Sequence, residues 1–361
     1  MRTAAKVAAA LGAVALGVGA PVAFVVQGAG APGRPDSAEL WWERIRRLPQ
    51  PVLAPPDRAS SVRAGGEKVE RVQVEARVLE ERVVPAQGPV VAIAERDELV
   101  AVATFDDGAF AVERDGTAHR VEGVAAVNAL AFDEVGNLCV ASDDGAFVAA
   151  PGERARRVAS GAFSAVARID GAVWFAGRSG VVRMEGGKLT RWGADQGLLV
   201  EQPTSLASCA SWLCLGGVDG LIKVRVDEGR VRLERLDGAL PAQFVTAVAS
   251  TGEATWVGTF DGGLMQLGAA PLAPADGLPE GRINPRALAA AGDRAFAGTP
   301  SGLLVARGRS AALVPAGGAV SAVEVSGHGG VWLGLSGRVV RLDVEFPSEQ
   351  SALAQAQSRI P

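Results

Sequence analysis

The chain has 361 residues, with 46 glycines, 20 prolines, 7 tryptophans, 3 cysteines, 2 histidines and no tyrosine. Its 48% apolar content is enough for a core and excludes a disordered tail. Two imidazoles cannot build a three-histidine zinc site, and 36 basic against 40 acidic residues, finely interspersed, leave no footprint for nucleic acid.

In chain order, Arg2 and Lys6 precede an uncharged run from Val7 to Val26, and the next charge is Arg34. A helix over that run rises about 30 Å, the thickness of a bilayer core. Basic residues ahead of it place the rest of the chain outside the cytoplasm. Residues 1–28 therefore read as a signal anchor or as a cleaved signal peptide. Pro21 and Pro32 follow the small-residue sites at Gly19-Ala20 and Ala29-Gly30-Ala31, where a tertiary amide makes a poor scissile bond. The cleaved signal stays open, because Pro21 also interrupts the run. No cysteine lies near enough to become a lipid-modified N-terminus.

Residues 29–66 form a linker. Within it, Asp36-Ser37-Ala38-Glu39 carries a helix-start signal for a short amphipathic helix at 37–48. Leu40, Trp41, Ile45 and Leu48 share one side, and Glu43, Arg44, Arg46 and Arg47 supply charge. Such a helix either packs on the body or lies at a headgroup interface. Pro49, Pro51, Pro55 and Pro56 end it.

The body, 67–346, is a repeat. Segments such as LCVASDDGAFVA (138–149), VWFAGRSGVVRM (173–184) and VWLGLSGRVVRL (331–342) repeat one phrase of strand, Gly turn and strand. The glycine before the last strand of the phrase recurs as Gly108, Gly145, Gly180, Gly220, Gly263, Gly302 and Gly337. A strand-only period of about 40 residues marks a β-propeller. The fold class is all-β, with seven blades expected and six the alternative.

The last unit offers only three strands, near 320–325, 331–335 and 339–344. An N-terminal strand at 69–84 is expected to supply the fourth and close the ring. Its alternation sets Val72, Val74, Ala76 and Val78 on a buried face, against Arg71, Gln73, Glu75 and Arg77. Residues 347–361 read as a tail or short helix.

TWVGTFDGGLMQL (255–267) resembles the repeat of two-component-regulator propellers, which reads roughly V-W-I-G-T-x-x-G-L. VWFAGRSGVVRM, AFAGTPSGLLVA (295–306) and VWLGLSGRVVRL look like weaker copies. In that family the propellers are periplasmic sensory modules, commonly joined to a transmembrane helix and a histidine kinase or other output domain. Here the apolar run precedes the repeats and no kinase segment follows Pro361. The resemblance thus implies fold and extracytoplasmic placement rather than signal output by this chain.

The acidic-glycine turns Asp106-Asp107-Gly108, Asp143-Asp144-Gly145, Asp219-Gly220 and Asp261-Gly262-Gly263 lack the alternating ligands of a calcium loop and read as hairpin turns. No G-x-S-x-G elbow, phosphate loop or C-x-x-C occurs, so no catalytic, cofactor or metal residue is nominated. Trp174, Trp212, Trp256 and Trp332 repeat at related strand positions and read as packing between blades. Trp192, in a connection between units, and His328, in the turn Ser326-Gly327-His328-Gly329-Gly330, are the candidate partner-binding residues. His119 reads as an exposed strand residue.

Three cysteines leave at least one unpaired. Cys139 reads as a core residue. Cys209 in a turn and Cys214 along the next strand read as too far apart to bridge, with a disulfide as the alternative. Together these readings describe a membrane-tethered, non-catalytic scaffold facing the periplasm, or a secreted one if the signal is cleaved. It would recognise a protein or a small ligand, without nucleic acid or cofactor. The alternatives are a ligand-sensing subunit acting through a separate membrane partner, and a propeller-type lyase or hydrolase.

Overall fold

The computed structural model describes residues 68–198, 202–227, 230–236 and 240–346. The apolar run, the 37–48 helix and the 347–361 tail lie outside the described residues. Among the described residues no helix is long and apolar enough to cross a membrane.

Seven antiparallel sheets succeed one another around a ring. Their inner strands are Val90–Arg96, Val127–Phe132, Phe163–Ile169, Pro203–Cys209, Val245–Ser250, Leu288–Ala291 and Ala322–Val325, defining blades 1 to 7. Each inner strand packs beside the next, and the seventh returns to the first. The fold is a seven-bladed β-propeller. Blade 5 is the leanest, with Val245–Ser250, Thr255–Thr259 and Leu264–Gln266, and a single bridge from Leu264 to Leu272 in place of a fourth strand.

One sequence pattern builds all seven inner strands. It reads VVAIAE (90–95), VNALAF (127–132), FSAVAR (163–168), PTSLAS (203–208), VTAVAS (245–250), PRALAA (285–290) and VSAVEV (320–325). Small residues at the third and fifth positions let the next blade approach, and the aliphatic fourth position packs back on the previous one. Ala322 packs toward blade 1 in this way, and Val323 toward blade 6. In blades 1 to 5 the ladder slips between the first and third residues. The extra residue leaves the second position unpaired, as at any β-bulge.

That freed side chain crosses to the next blade. Asn128 Nδ2 donates to Phe163 O at 3.0 Å, Ser164 Oγ to Pro203 O, and Thr204 Oγ1 to Val245 O at 2.7 Å. Ser321 Oγ donates to Val90 O at 2.6 Å across the last seam, and Asn284 Nδ2 bonds Val320 O at 2.7 Å from just ahead of blade 6.

The acidic-glycine segments are hairpin turns. The Thr104 and Thr259 hydroxyls accept from the amides of Asp107 at 3.2 Å and Gly262 at 3.1 Å, holding each turn across its own strand end. Gly180 shows why glycine recurs there. Its φ is +109°, and a Cβ would collide with the carbonyl oxygen of Trp192.

The N-terminal segment serves two blades. Glu70–Arg71 lies parallel to Ser310–Val314 of blade 6, and Glu75–Val83 lies antiparallel to Arg338–Glu345 as the outermost strand of blade 7. The expected alternation does not hold. Val72 and Val74 are half-buried, but Ala76 is exposed and Val78 is 60% exposed. An outermost strand has no further strand to cover it, and a bulge between Val78 and Glu80 reverses the facing of the residues beyond it. Arg82 turns inward instead.

Arg82 is 4% exposed. Its Nε bonds Glu80 Oε1 at 2.8 Å, and its Nη1 reaches Glu98 O at 2.9 Å and Val112 O at 2.7 Å in blade 1. Its guanidinium lies 5.2 Å from the Trp332 ring centre, with Arg341 over the same ring at 5.6 Å. Arg341 Nη2 bonds the other Glu80 oxygen at 3.0 Å.

The cysteine expectation is corrected. Cys209 and Cys214 form a disulfide with a Cα–Cα distance of 5.7 Å. Counting residues along an extended strand overlooked the reversal at Ala210-Ser211, which sets Cys209 opposite Trp212 and Cys214 opposite Ala207. The two cysteines become diagonal neighbours on one sheet face. Trp212 therefore sits two residues out of step with Trp174, Trp256 and Trp332, and Cys214 takes the matching position.

Cys139 is buried, and burial, with the Asp133 carboxylate behind it, pushes its thiol up to about 12. Alkylation counted by mass spectrometry is expected to label no cysteine in the native protein, one after denaturation, and three after denaturation with reductant. Replacing Arg82 by alanine leaves the buried Val112 carbonyl and the part-buried Glu98 carbonyl without their donor. Urea unfolding is expected to show a loss of about 3 kcal/mol.

Candidate functional site

The inner strands enclose a central channel of about 610 Å³, with Val91 to Asp97, Ala129 to Glu134 and Ala165 to Arg168 on its wall. An inner strand has a neighbour on one edge only. Its other edge turns unpaired backbone N–H and C=O groups toward the axis, so the lumen is polar although the side chains are small and apolar. Glu95, Arg96, Asp97, Asp133 and Glu134 gather where the inner strands of blades 1 and 2 end in their hairpins. Arg96 Nη1 and Nη2 donate to Asp133 O at 2.7 Å and Glu134 O at 3.0 Å, tying blade 1 to blade 2.

The fifth position of the inner-strand pattern is Ala94, Ala131, Ala167, Ala207, Ala249 and Ala289 in six blades, and Glu324 in the seventh. Glu324 stands opposite Trp332 in its own sheet and faces the seam with blade 1. Glu95 faces it from the other side. Glu95 Oε1 accepts from Trp332 Nε1 at 2.8 Å and from Ser326 Oγ at 3.0 Å, and Oε2 accepts from the Gly327 amide at 2.6 Å. Three donors, two of them on one oxygen, satisfy this carboxylate.

Glu324 is unlike its neighbour. No described residue donates a hydrogen bond to its side chain. Burial first, and then the Glu95 charge, push its carboxyl from 4.5 up to about 8, so that it is neutral at pH 7. The matching seam between blades 5 and 6 shows what the Glu95 acceptor supplies. There Ala290 replaces it, and the buried Nε1 of Trp256 has no partner.

The two nominated residues fall on different seams. His328 is exposed in the hairpin of blade 7, and its Nε2 donates to Asp97 O at 2.7 Å, which places it beside the Glu95 and Glu324 pair. Trp192 ends the outer strand Lys188–Trp192 of blade 3 rather than lying in a connection. It is 8% exposed and stacks on Trp174 with ring centres 5.6 Å apart. It borders a cleft of about 400 Å³ between blades 3 and 4, together with Arg183, whose guanidinium lies 5.7 Å from the Trp174 ring.

Sequence reasoning passed over Glu324 and Glu95. The signal that reaches Glu324 is the alignment of the inner strands, where a column of six alanines ends in a carboxylic acid. Among the described residues no group of three or more His, Cys, Asp or Glu side chains is placed to hold a metal ion.

No protein-family model matches the sequence, and no curated protein matches it. Solved structures do. The chain is similar to streptogramin B lyase, with a TM-score of 0.56 and 12% identity over 76% of this chain and 98% of that one. It is similar to the WD40 propeller domain of Doa1, with a TM-score of 0.58 and 11% identity over 76% and 98%. A third is the extracellular domain of BT4673 of B. thetaiotaomicron, named as a hybrid two-component system, with a TM-score of 0.57 and 16% identity. That likeness covers 75% of this chain and 40% of that one. At such identities the likeness is one of fold.

The neutral carboxyl has a consequence for stability. A group whose value rises from 4.5 to about 8 on folding stabilises the fold fully below pH 4.5, and that contribution is lost as pH climbs through 8. At pH 7 the loss is on the order of 3 kcal/mol. Thermal melts are expected to show the wild-type midpoint falling from pH 5 to pH 8. Glu324→Ala, which restores the residue of the other blades, should flatten that slope and melt higher at pH 8.

Proposed function

We propose that this chain is an extracytoplasmic, membrane-tethered recognition scaffold that takes a protein or a small ligand at the channel mouth beside the seam of blades 7 and 1. One observation carries the reading. The ring encloses an open polar channel, and Glu95 and His328 at this end of it are fixed by hydrogen bonds. Glu95 is held by three donors and the His328 ring by a carbonyl. Groups immobilised in this way suit holding a ligand in a fixed pose better than moving protons during a reaction.

Placement outside the cytoplasm is supported by Arg2 and Lys6 ahead of the apolar run, and by the Cys209–Cys214 disulfide, a bond that persists in oxidising compartments. The fold likeness to the extracellular part of a two-component system protein favours a second reading. In it the scaffold senses a ligand and passes the signal to a separate membrane protein.

The test is cross-linking of the tagged chain in intact cells, then capture from membrane and soluble fractions and mass spectrometry. Recovery from the membrane with residues 1–28 retained, and a reproducible partner cross-linked through the hairpins of blades 7 and 1, is the expected result. Recovery alone from the soluble fraction, with the N-terminus removed, would sink the tethered scaffold.

A further inference from the structure

We propose that the channel end of the seam between blades 7 and 1 is a binding site for an aliphatic primary ammonium, with Glu324 as its counter-ion. The inference rests on the recognition reading above and adds the ligand class.

The repeat supplies the first argument. Six blades place alanine at the fifth position of the inner strand, so the fold needs no polar group there. A carboxylic acid in the seventh breaks the pattern at the channel wall, within reach of a second carboxylate, and gains no hydrogen bond from any described residue. Its surroundings enclose the carboxyl, while the residue keeps part of its surface on the lumen. A local rule broken without a structural return points to a ligand.

The charges around Glu324 decide the sign of that ligand. From blade 1, Glu95 faces it, and Arg96 is engaged with blade 2 carbonyls. From its own blade, His328 bonds Asp97 O, and Arg341 bonds Glu80 and leans toward Ser326 Oγ at 3.4 Å. From the closing strand, Arg82 and Glu80 satisfy one another. From blade 6, the inner strand Leu288–Ala291 carries no charge, and Arg286 just ahead of it lines the same channel; of the charges around it, Glu95 alone shifts the Glu324 carboxyl. Glu324 is thus the one of these groups without a bonded partner, an acid beside a second acid, and the guest is a cation.

The donor set decides the kind of cation. Calcium and magnesium want six or more oxygens, and an indole N–H, a hydroxyl and an amide already point at Glu95. An ammonium asks for less. Its three N–H groups need three acceptors, which the Glu324 carboxylate, a remaining lone pair of Glu95 and the unpaired carbonyls of the inner strands provide. An aliphatic stem then lies along Ala94, Ala131 and Ala167 on the channel wall.

Binding carries a proton signature. Glu324 enters neutral at pH 7, so pairing with R–NH₃⁺ requires it to give up its proton to solvent as the ion pair forms. Heat of binding must therefore depend on the buffer. Affinity must rise about tenfold per pH unit below the carboxyl's own value and level off above it.

The ammonium could belong to a free amine or to a lysine side chain, and two probes separate these. The full-length chain in detergent is titrated calorimetrically with 1,4-diaminobutane, and separately with N-acetyl-lysine methylamide, at several pH values and in two buffers of different ionisation heat. Binding of either probe with about one proton released, weakened at least tenfold in Glu324→Ala, is expected. Binding of the diamine alone assigns a free amine, and binding of the lysine analogue alone assigns a partner's side chain.

Thermal melts verify that the variant is folded. Binding without proton release, equal binding by wild type and Glu324→Ala, or no binding of either probe between about pH 6 and pH 9 overturns the proposal. A cross-linked partner found together with that last result overturns the ammonium site and leaves the scaffold standing.

Discussion

A propeller exists only if its first and last sheets meet, and here a short polar side chain at the head of the inner strand makes the meeting specific. Removing one residue from the ladder frees a short polar side chain at the second position, and that side chain reaches a carbonyl of the next blade. Asn128, Ser164 and Thr204 repeat the device with three different residue types, and Ser321 makes the same reach from blade 7, whose ladder shows no slip. Packed faces between sheets are slippery along the strand direction, because one aliphatic layer fits another at several offsets. A hydrogen bond of fixed reach selects one offset, and alanine at the third and fifth positions keeps the sheets near enough for that bond to form.

The seam between blades 7 and 1 carries more than its share of such bonds because three separate stretches of chain meet there. Glu80 and Arg82 come from the N-terminal strand, Glu95 from blade 1, and Trp332 and Arg341 from blade 7. Trp332 is the centre of the arrangement. Its ring receives two guanidinium groups and its N–H reaches Glu95. The cost is a cluster of charge inside the molecule, offset for every member except Glu324. Stability, closure and the proposed site therefore draw on the same few side chains.

The architecture was legible because repetition averages over local ambiguity. No single segment proves a blade, but seven glycines at one phase of the repeat do. The N-terminal strand was legible for its composition and not for its facing, since an alternating pattern assumes a covered face, and in the outermost strand of blade 7 Ala76 and Val78 stay exposed. Cys209 and Cys214 were misjudged for a related reason. Linear distance along a strand is a poor guide across a two-residue turn. Trp192 looked like a loop residue because the strand before it, Lys188–Arg191, is wholly exposed and polar but for Leu189, as an outermost strand is free to be. Glu324 was hidden by being an ordinary residue in an ordinary strand, and only its place in the alanine column sets it apart.

The pairing of the N-terminal strand with the last one also orders events in time. Arg338 and Glu81, bonded across that pair, stand 257 residues apart in sequence. During synthesis Glu75–Val83 emerges first and its partner last, so its apolar side chains Val78 and Val83 and its open edge wait through the making of the whole ring. Local hairpins form quickly, while this longest of contacts must come after them. The nascent protein is in effect an open spring with a sticky end, and the helpers that guard unpaired strand edges have their longest task at residues 75–83.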